Sequence, residues 1–103
     1  MGFLVDLVCT RCVKAYLKDR LWNLSPCCEA PLFARYDLDR MRREVDRDEL
    51  QTRRTDMWRF AELLPVEDPD RIVSLGEGGT PLLAAVELGR RLGLNSLYIK
   101  EEG

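Results

Sequence analysis

All four cysteines of the chain lie in two short clusters near its start. Cys9 and Cys12 form a CxxC pair, and Cys27 and Cys28 follow as an adjacent pair. Two clusters at this separation are typical of a zinc ribbon, in which each cluster lies on a tight turn and supplies two thiolates. A chain of 103 residues buries only a limited core, so a bound metal would supply folding free energy that packing does not. We therefore predict that these four cysteines are metal ligands.

Residues 1–36 are accordingly predicted to form a zinc-ribbon-like subdomain, a small antiparallel structure with strands at residues 3–5 and 32–33. The second cluster leaves alternatives open. Ligands on such a turn are normally separated by one or two residues, so adjacent Cys27 and Cys28 are expected to strain to reach one tetrahedral ion. Ser25 occupies the position that a CxxC partner of Cys28 would take. The alternatives are a ribbon that has lost tight metal binding, and a disulfide, which suits an oxidising compartment. We expect at most one zinc ion, weakly held.

The middle of the chain, residues 37–70, is dense in charge and predicted to be a helical packing segment. Asp37 is a candidate N-cap for a helix near 37–52, whose apolar residues recur from Leu38 at helical spacing. We favour a solvated helical face with ion pairs such as Glu49–Arg53. An arginine cluster that binds a phosphate group is the alternative, and the interleaved acidic residues weigh against it.

A second helix is predicted at residues 57–64. Asp56 can cap its start, and Pro65 ends it because proline disfavours helical backbone at the residue before it. Its apolar face predicts packing on a larger body, and nothing in its spacing indicates catalysis.

A glycine-rich loop, SLGEGGTPLL, occupies residues 74–83. Its glycines permit positive φ and close backbone approach, and Pro81 fixes the direction in which the chain leaves. In one interpretation Thr80 and nearby backbone N–H groups lie beside an anionic substrate. In the other, which we favour, this is a structural crossover loop with Thr80 as a helix cap.

The last third of the chain, residues 71–103, has an α/β pattern. An apolar-periodic helix is predicted near 84–92, with Gly93 as its stop, followed by a strand near 96–101. In α/β enzymes the chemistry is placed just beyond such strands, so we expect the 103 residues to be the front end of a larger enzyme. That strand is expected to be an edge lacking its other sheet partners.

Bulk composition excludes several classes of function. The formal net charge of -2 and the pI near 5.2 argue against nucleic-acid binding, which requires a basic surface. No apolar run approaches the roughly 20 residues that span a bilayer. The first residues lack the basic n-region of a signal peptide, so we expect a cytoplasmic protein with no membrane partner.

Three strings, read in order, resemble the beginning of the threonine synthase family of fold-type II pyridoxal-phosphate enzymes. The family also has a cysteine-paired ribbon like residues 7–36, so the resemblance covers nearly the whole chain. The chain departs from the family pattern at Val13, where glycine often follows the CxxC, and at the contracted second pair. The strings are MWRFAELLPV at 57–66, IVSLGEGGTPLL at 72–83 and LYIKEEG at 97–103.

The resemblance implies an α/β pyridoxal-phosphate domain beginning at residue 71, and a parent enzyme that converts O-phosphohomoserine, a small amino-acid substrate, to threonine and phosphate. A homodimer is among the parent's expected states. The family's cofactor forms a Schiff base with a lysine in a segment expected after Gly103. No catalytic residue is therefore assigned to this chain, its cofactor-binding residues stay unknown, and we expect residues 1–103 alone to be inactive.

Two other functions remain open. A stand-alone zinc-ribbon interaction module would use the charged middle as its partner surface, but it would have no use for an unfinished α/β unit. Another fold-type II pyridoxal-phosphate enzyme of amino-acid metabolism would share the glycine-rich loop. The fold class expected on any of these readings is mixed α and β.

Overall fold

The computed structural model describes residues 2–103. Its first part is a three-stranded antiparallel sheet with strand order β2-β1-β3. The strands are β1 (Leu4–Cys9), β2 (Ala15–Tyr16) and β3 (Leu32–Tyr36). β1 is central because its residues pair on both sides: Leu7 lies opposite Tyr16 of β2 and Ala34 of β3. The antiparallel ribbon predicted for residues 3–36 is confirmed.

Register places both cysteine clusters at one end of this sheet. Cys9, the last residue of β1, pairs with Leu32, the first residue of β3. The turn after Cys9 carries Cys12, and the loop that precedes β3 carries the other two cysteines. The opposite end is fastened by an ion pair in which Arg35 Nε donates to Asp6 over 2.8 Å.

The charged middle forms short helices rather than one long one. These are α1 (Leu38–Glu44), α2 (Arg47–Thr52) and two 3-10 helices, Met57–Leu63 and Pro69–Arg71. Asp37 and Asp56 cap as predicted, since their carboxylates accept from the N–H groups of Arg40 (2.8 Å) and Trp58 (3.0 Å). The predicted helix over 37–52 divides because Asp46 starts a second cap, accepting from Asp48 N–H at 2.9 Å.

The predicted Glu49–Arg53 ion pair is present at 3.1 Å, and Arg53 also makes two hydrogen bonds to Glu62, at 2.8 and 2.9 Å. This second contact fastens the end of α2 to the first 3-10 helix. Arg53 holds the pKa of Glu62 below its ordinary value through these bonds. Three of the seven arginines in this segment, Arg40, Arg53 and Arg54, pair with carboxylates, and these ion pairs favour the solvated-face interpretation over a phosphate site.

The last part is a β-α-β unit of β4 (Leu82–Ala84), α3 (Val86–Arg91) and β5 (Tyr98–Lys100). β4 and β5 pair antiparallel as a two-stranded sheet, and within residues 2–103 no further strand flanks β5. The predicted helix and the predicted strand are confirmed. β4 was not predicted, because Leu82 and Leu83 directly follow a Gly-Gly-Thr-Pro segment typical of a loop, and Ala84 falls in the predicted helix near 84–92.

The protein has a small core. Its buried apolar side chains are Phe3, Leu4 and Cys9, all in or beside β1, and Ser25 is the buried polar residue. Every residue of β4 and β5 is exposed. The radius of gyration is 18.4 Å, against about 13 Å for a compact domain of this length. None of the helices in residues 2–103 is both long and apolar enough to cross a bilayer.

Candidate metal centre

The four cysteines come together at the β1–β3 end of the three-stranded sheet. Their sulfur atoms all lie within 4.8 Å of one another, and the Sγ atoms of Cys12 and Cys27 are 3.4 Å apart. Four thiolates around zinc at about 2.3 Å would place the sulfurs roughly 3.8 Å apart. The cluster is therefore close to the size that one tetrahedral ion requires. All four cysteines are free thiols.

The first turn has the backbone of a metal-binding knuckle. Cys9 N–H donates to the Lys14 carbonyl and Val13 N–H donates to the Cys9 carbonyl, each at 2.9 Å. Arg11 N–H points at the Cys9 sulfur from 3.4 Å. Val13 closes the turn with φ at +66°. This is a left-handed conformation that favours glycine, which gives a physical reason for the glycine that the resembling family often carries there.

The second turn repeats the first one, sixteen residues later. Ser25 N–H donates to the Ala30 carbonyl and Glu29 N–H donates to the Ser25 carbonyl, each at 2.8 Å. Glu29 has a φ of +50°, the counterpart of Val13. In this correspondence Cys28 matches Cys12, and Ser25 matches Cys9.

Ser25 therefore fills the first ligand position of the second knuckle, and the fourth sulfur comes from Cys27 instead. Cys27 lies at the position of Arg11 in the first turn, beside the place where the ion would lie. Among the described non-glycine residues, positive φ occurs only at Val13 and Glu29, so the backbone reaches this arrangement without left-handed strain at Cys27 or Cys28. The expectation that the adjacent pair strains to reach one tetrahedral ion stays a prediction.

Polar groups surround the sulfurs. Cys9 and Ser25 are each 1% exposed, and the Cys9 thiol donates to the Ser25 hydroxyl across 3.3 Å. When Cys9 is ionised, a hydrogen bond from the Ser25 hydroxyl to its sulfur is the main cause that lowers the pKa of Cys9 to about 6. The Cys12 thiol raises the pKa of Cys28 to about 12. Cys9 and Cys28 thus differ strongly in how readily each one ionises, and Cys9 is the more acidic of the two.

Tyr16 lies beside the same cluster. The neighbouring Cys27 thiol raises the pKa of Tyr16 to about 12, and the Tyr16 hydroxyl lowers the pKa of Cys27. The hydroxyl oxygen is nevertheless buried without a hydrogen bond of good geometry to any described residue. Sequence reasoning missed Tyr16, since a tyrosine in a two-residue strand carries no signal for a metal site.

The glycine-rich loop is packed against the chain rather than open to a ligand. Met57 N–H donates to the Glu77 carbonyl at 2.9 Å. A Cβ atom on Gly78 would collide with the backbone of Met57, and one on Gly79 would collide with the Thr55 carbonyl. The glycines are required by this close approach, which supports the structural interpretation of the loop. The predicted helix-capping role of Thr80 is wrong: its hydroxyl donates to the Glu102 carboxylate over 3.0 Å, and Ala85 precedes α3 without a side-chain cap.

The lysines make local contacts. Lys18 donates to the Leu4 carbonyl at 2.7 Å and to Glu67 at 2.6 Å, so it ties β1 to the loop after the 3-10 helix. Lys100 donates to the Thr80 carbonyl. Lys14 lies 5.6 Å from the centre of the Tyr16 ring. Lys18 lines an open cleft with Arg20 and Arg71, but the acidic side chains of Glu67 and Asp68 line the same cleft and Glu67 pairs with the lysine.

Two curated proteins are similar to nearly all of this chain. The threonine synthase of Methanocaldococcus jannaschii is 40% identical over 96 residues, and that of Methanosarcina acetivorans is 34% identical over 97 residues. These alignments cover 92% and 94% of this chain. No protein-family model and no solved structure matches significantly.

The chain spans 23% of the length of each of these relatives. The resemblance read from the strings at 57–66, 72–83 and 97–103 is thereby confirmed at the level of sequence. Over nearly its whole length, this chain is a sequence relative of a segment of the threonine synthases.

Proposed function

We propose that Cys9, Cys12, Cys27 and Cys28 bind one zinc ion as four thiolates. The observation that carries this proposal is the convergence of the four sulfurs within 4.8 Å from two turns of matching backbone. Thiolates are soft ligands, and four of them without an open position are typical of structural rather than catalytic zinc.

The ion's role would be to join the two turns. Within residues 2–103, the buried apolar core consists of three side chains around β1, which is little for a sheet of this size. A closed metal site supplies binding free energy that becomes folding free energy, because the four ligands converge only in the folded chain.

Zinc content of the reduced chain tests this proposal. We expect one zinc ion per chain, released when a thiol-blocking reagent modifies the cysteines and measured with a chromogenic chelator. Replacement of Cys28 by serine is expected to abolish retention, whereas Ser96→Ala, a change remote from the cluster in sequence, should leave it unchanged. A reduced chain with four reactive thiols and no retained zinc would contradict the proposal.

We further propose that the chain is part of a pyridoxal-phosphate-dependent threonine synthase that converts O-phosphohomoserine to threonine and phosphate. The support is the similarity to two threonine synthases over more than nine-tenths of this chain. The cofactor, when bound, acts as an electron sink and needs a lysine in a pocket that also holds its phosphate.

The residues of this chain do not form a binding site for the pyridoxal-phosphate cofactor. Lys18 is occupied by a carbonyl and a carboxylate, and Lys100 by the Thr80 carbonyl. We therefore assign the cofactor lysine to the part of the relatives' length that these 103 residues do not span. The role of residues 2–103 in catalysis is structural: they supply the zinc-joined sheet and the β4–α3–β5 unit.

Assays on two lengths of polypeptide test this assignment. The 103-residue chain should release no phosphate from O-phosphohomoserine and lose cofactor absorbance on desalting. A polypeptide of the relatives' full length that contains it should release phosphate and keep the absorbance. Stable, stoichiometric absorbance on the 103-residue chain that disappears with Lys100→Ala, but not with Lys14→Ala, would make Lys100 the cofactor lysine and overturn the assignment.

A further inference from the structure

Two hydroxyl groups face the cysteine cluster and have no role among the four metal ligands. The first belongs to Tyr16 in β2. Its oxygen is buried, it has no well-formed hydrogen bond to any residue in 2–103, and the group beside it is the Cys27 thiol. The ring is held in place by an edge-on contact with Trp22, with the ring centres 4.8 Å apart. A buried hydroxyl held in this way is destabilising unless something accepts its hydrogen.

The second hydroxyl belongs to Ser25, which is 1% exposed. Its oxygen accepts from Ala30 N–H at 3.1 Å and from the Cys9 thiol at 3.3 Å. A Cys9 thiolate has no proton to donate, so the hydroxyl hydrogen of Ser25 would then turn toward sulfur. The oxygen would still accept from Ala30. The contact between Cys9 and Ser25 is therefore a hydrogen bond in both ionisation states of Cys9: the thiol donates to Ser25, and Ser25 donates to the thiolate.

We propose that Tyr16 and Ser25 donate O–H···S hydrogen bonds to the thiolates of Cys27 and Cys9, and thereby strengthen metal binding. This inference rests on the proposed zinc site. Four thiolates around a divalent cation leave an excess of negative charge inside the protein, and hydrogen-bond donors to sulfur draw part of that charge away. Groups that hydrogen-bond to metal ligands commonly change metal affinity by about 10–100-fold. Tyr16 and Ser25 are positioning residues, because each acts on the ion through a cysteine.

Cobalt(II) in place of zinc gives a spectroscopic readout, because thiolate-to-cobalt charge-transfer bands report the electron density on sulfur. In Tyr16→Phe, we expect these bands to move to lower energy, since an unbonded thiolate gives up its electrons more easily. Zinc should bind about tenfold more weakly in competition with a chelator. Tyr36→Phe is the matched control, since it removes the same atom from β3 at the end of the sheet remote from the cysteines. It should leave bands and affinity unchanged.

Ser25→Ala should move the bands in the same direction, and Ser25→Thr, which keeps the hydroxyl, should restore them. The spectrum separates hydrogen bonding to sulfur from the loss of the Ala30 contact, because only the former alters the electron density on the sulfur that binds the ion. A wild-type chain with four-thiolate bands that are identical in Tyr16→Phe and Ser25→Ala would overturn this inference alone. A wild-type chain that binds neither metal would overturn the proposed zinc site as well.

Discussion

Val13 shows how one residue stores conformational strain at the candidate metal centre. Its φ is +66°, a conformation that β-branched residues rarely adopt, and its side chain is 70% exposed, so little packing offsets the strain. A residue other than glycine in this conformation costs on the order of 1–3 kcal/mol. The turn therefore keeps the backbone shape of a knuckle without the residue that adopts it most easily.

We expect Val13→Gly to stabilise the folded chain by about 1 kcal/mol, because relief of strain exceeds the added backbone entropy of glycine in the unfolded chain. Denaturant unfolding with zinc present measures the change. Val73→Gly is the control, since Val73 is also exposed but is not among the residues with positive φ. It should be neutral or destabilising. Equal effects of the two substitutions would show that Val13 is not strained.

The ion pair of Glu62 with Arg53, again a single-residue feature, predicts that the stability of the fold depends on pH. Arg53 holds the pKa of Glu62 below its ordinary value, so the pair stabilises the fold at neutral pH and that contribution is lost as the pH falls below about 4.3 toward the folded pKa. We expect Glu62→Gln to lower stability at pH 7 and to remove part of the loss on acidification. Thermal unfolding at several pH values measures this.

Glu44→Gln is the comparison for Glu62, because Glu44 pairs with Arg40 at 3.0 Å on the exposed surface of α1. Such a surface pair contributes about 0–1 kcal/mol, so its loss should change the pH profile little. Identical profiles for Glu62→Gln and the unaltered chain would contradict a stabilising role for the Arg53–Glu62 contact.

At the scale of secondary-structure elements, sequence patterns predicted those helix ends that are determined by interactions between neighbouring residues. The caps at Asp37 and Asp56 follow from side-chain chemistry one or two residues from the helix start. β4 could not be predicted, because its residues continue directly from the Gly-Gly-Thr-Pro segment of the glycine-rich loop and are a strand only through their pairing with β5. The correspondence between the two turns was not predicted for a related reason. Spacing alone does not show that Ser25 takes the first ligand position of the second turn.

The equivalence of the two turns leads to a prediction about ligand exchange. If Ser25 corresponds to Cys9, a thiol placed there should replace the one from Cys27. We expect Cys27→Ala to lose zinc and the double variant Cys27→Ala with Ser25→Cys to regain it, because Ser25 is buried against the cluster, 3.3 Å from the Cys9 sulfur. Zinc stoichiometry of the two variants decides this. Failure of the double variant to bind, with its fold intact, would contradict the equivalence.

Across the whole molecule, burial is concentrated in one place. Phe3, Leu4, Cys9 and Ser25 are buried around β1, whereas large apolar side chains on the β4–α3–β5 unit stay exposed, among them Leu82, Val86 and Tyr98. Exposed apolar surface of this kind marks an interaction site. The relatives are about four times as long as this chain, so such a surface is expected where their remaining length would pack.

Uneven burial predicts uneven local stability in the 103-residue chain. Protection from hydrogen exchange follows burial, so amides in β1 and β3 should exchange slowest and those in β4 and β5 fastest. Removal of zinc should accelerate exchange at Cys9, Ser25 and Val13, whose amide hydrogens close the two turns. The β4–β5 amides should not respond, because their unit contains none of the ligands. Exchange measured with zinc and with chelator tests both expectations. Equal protection of β1 and β5, or a response to zinc at β5, would show that the chain behaves as one cooperative unit.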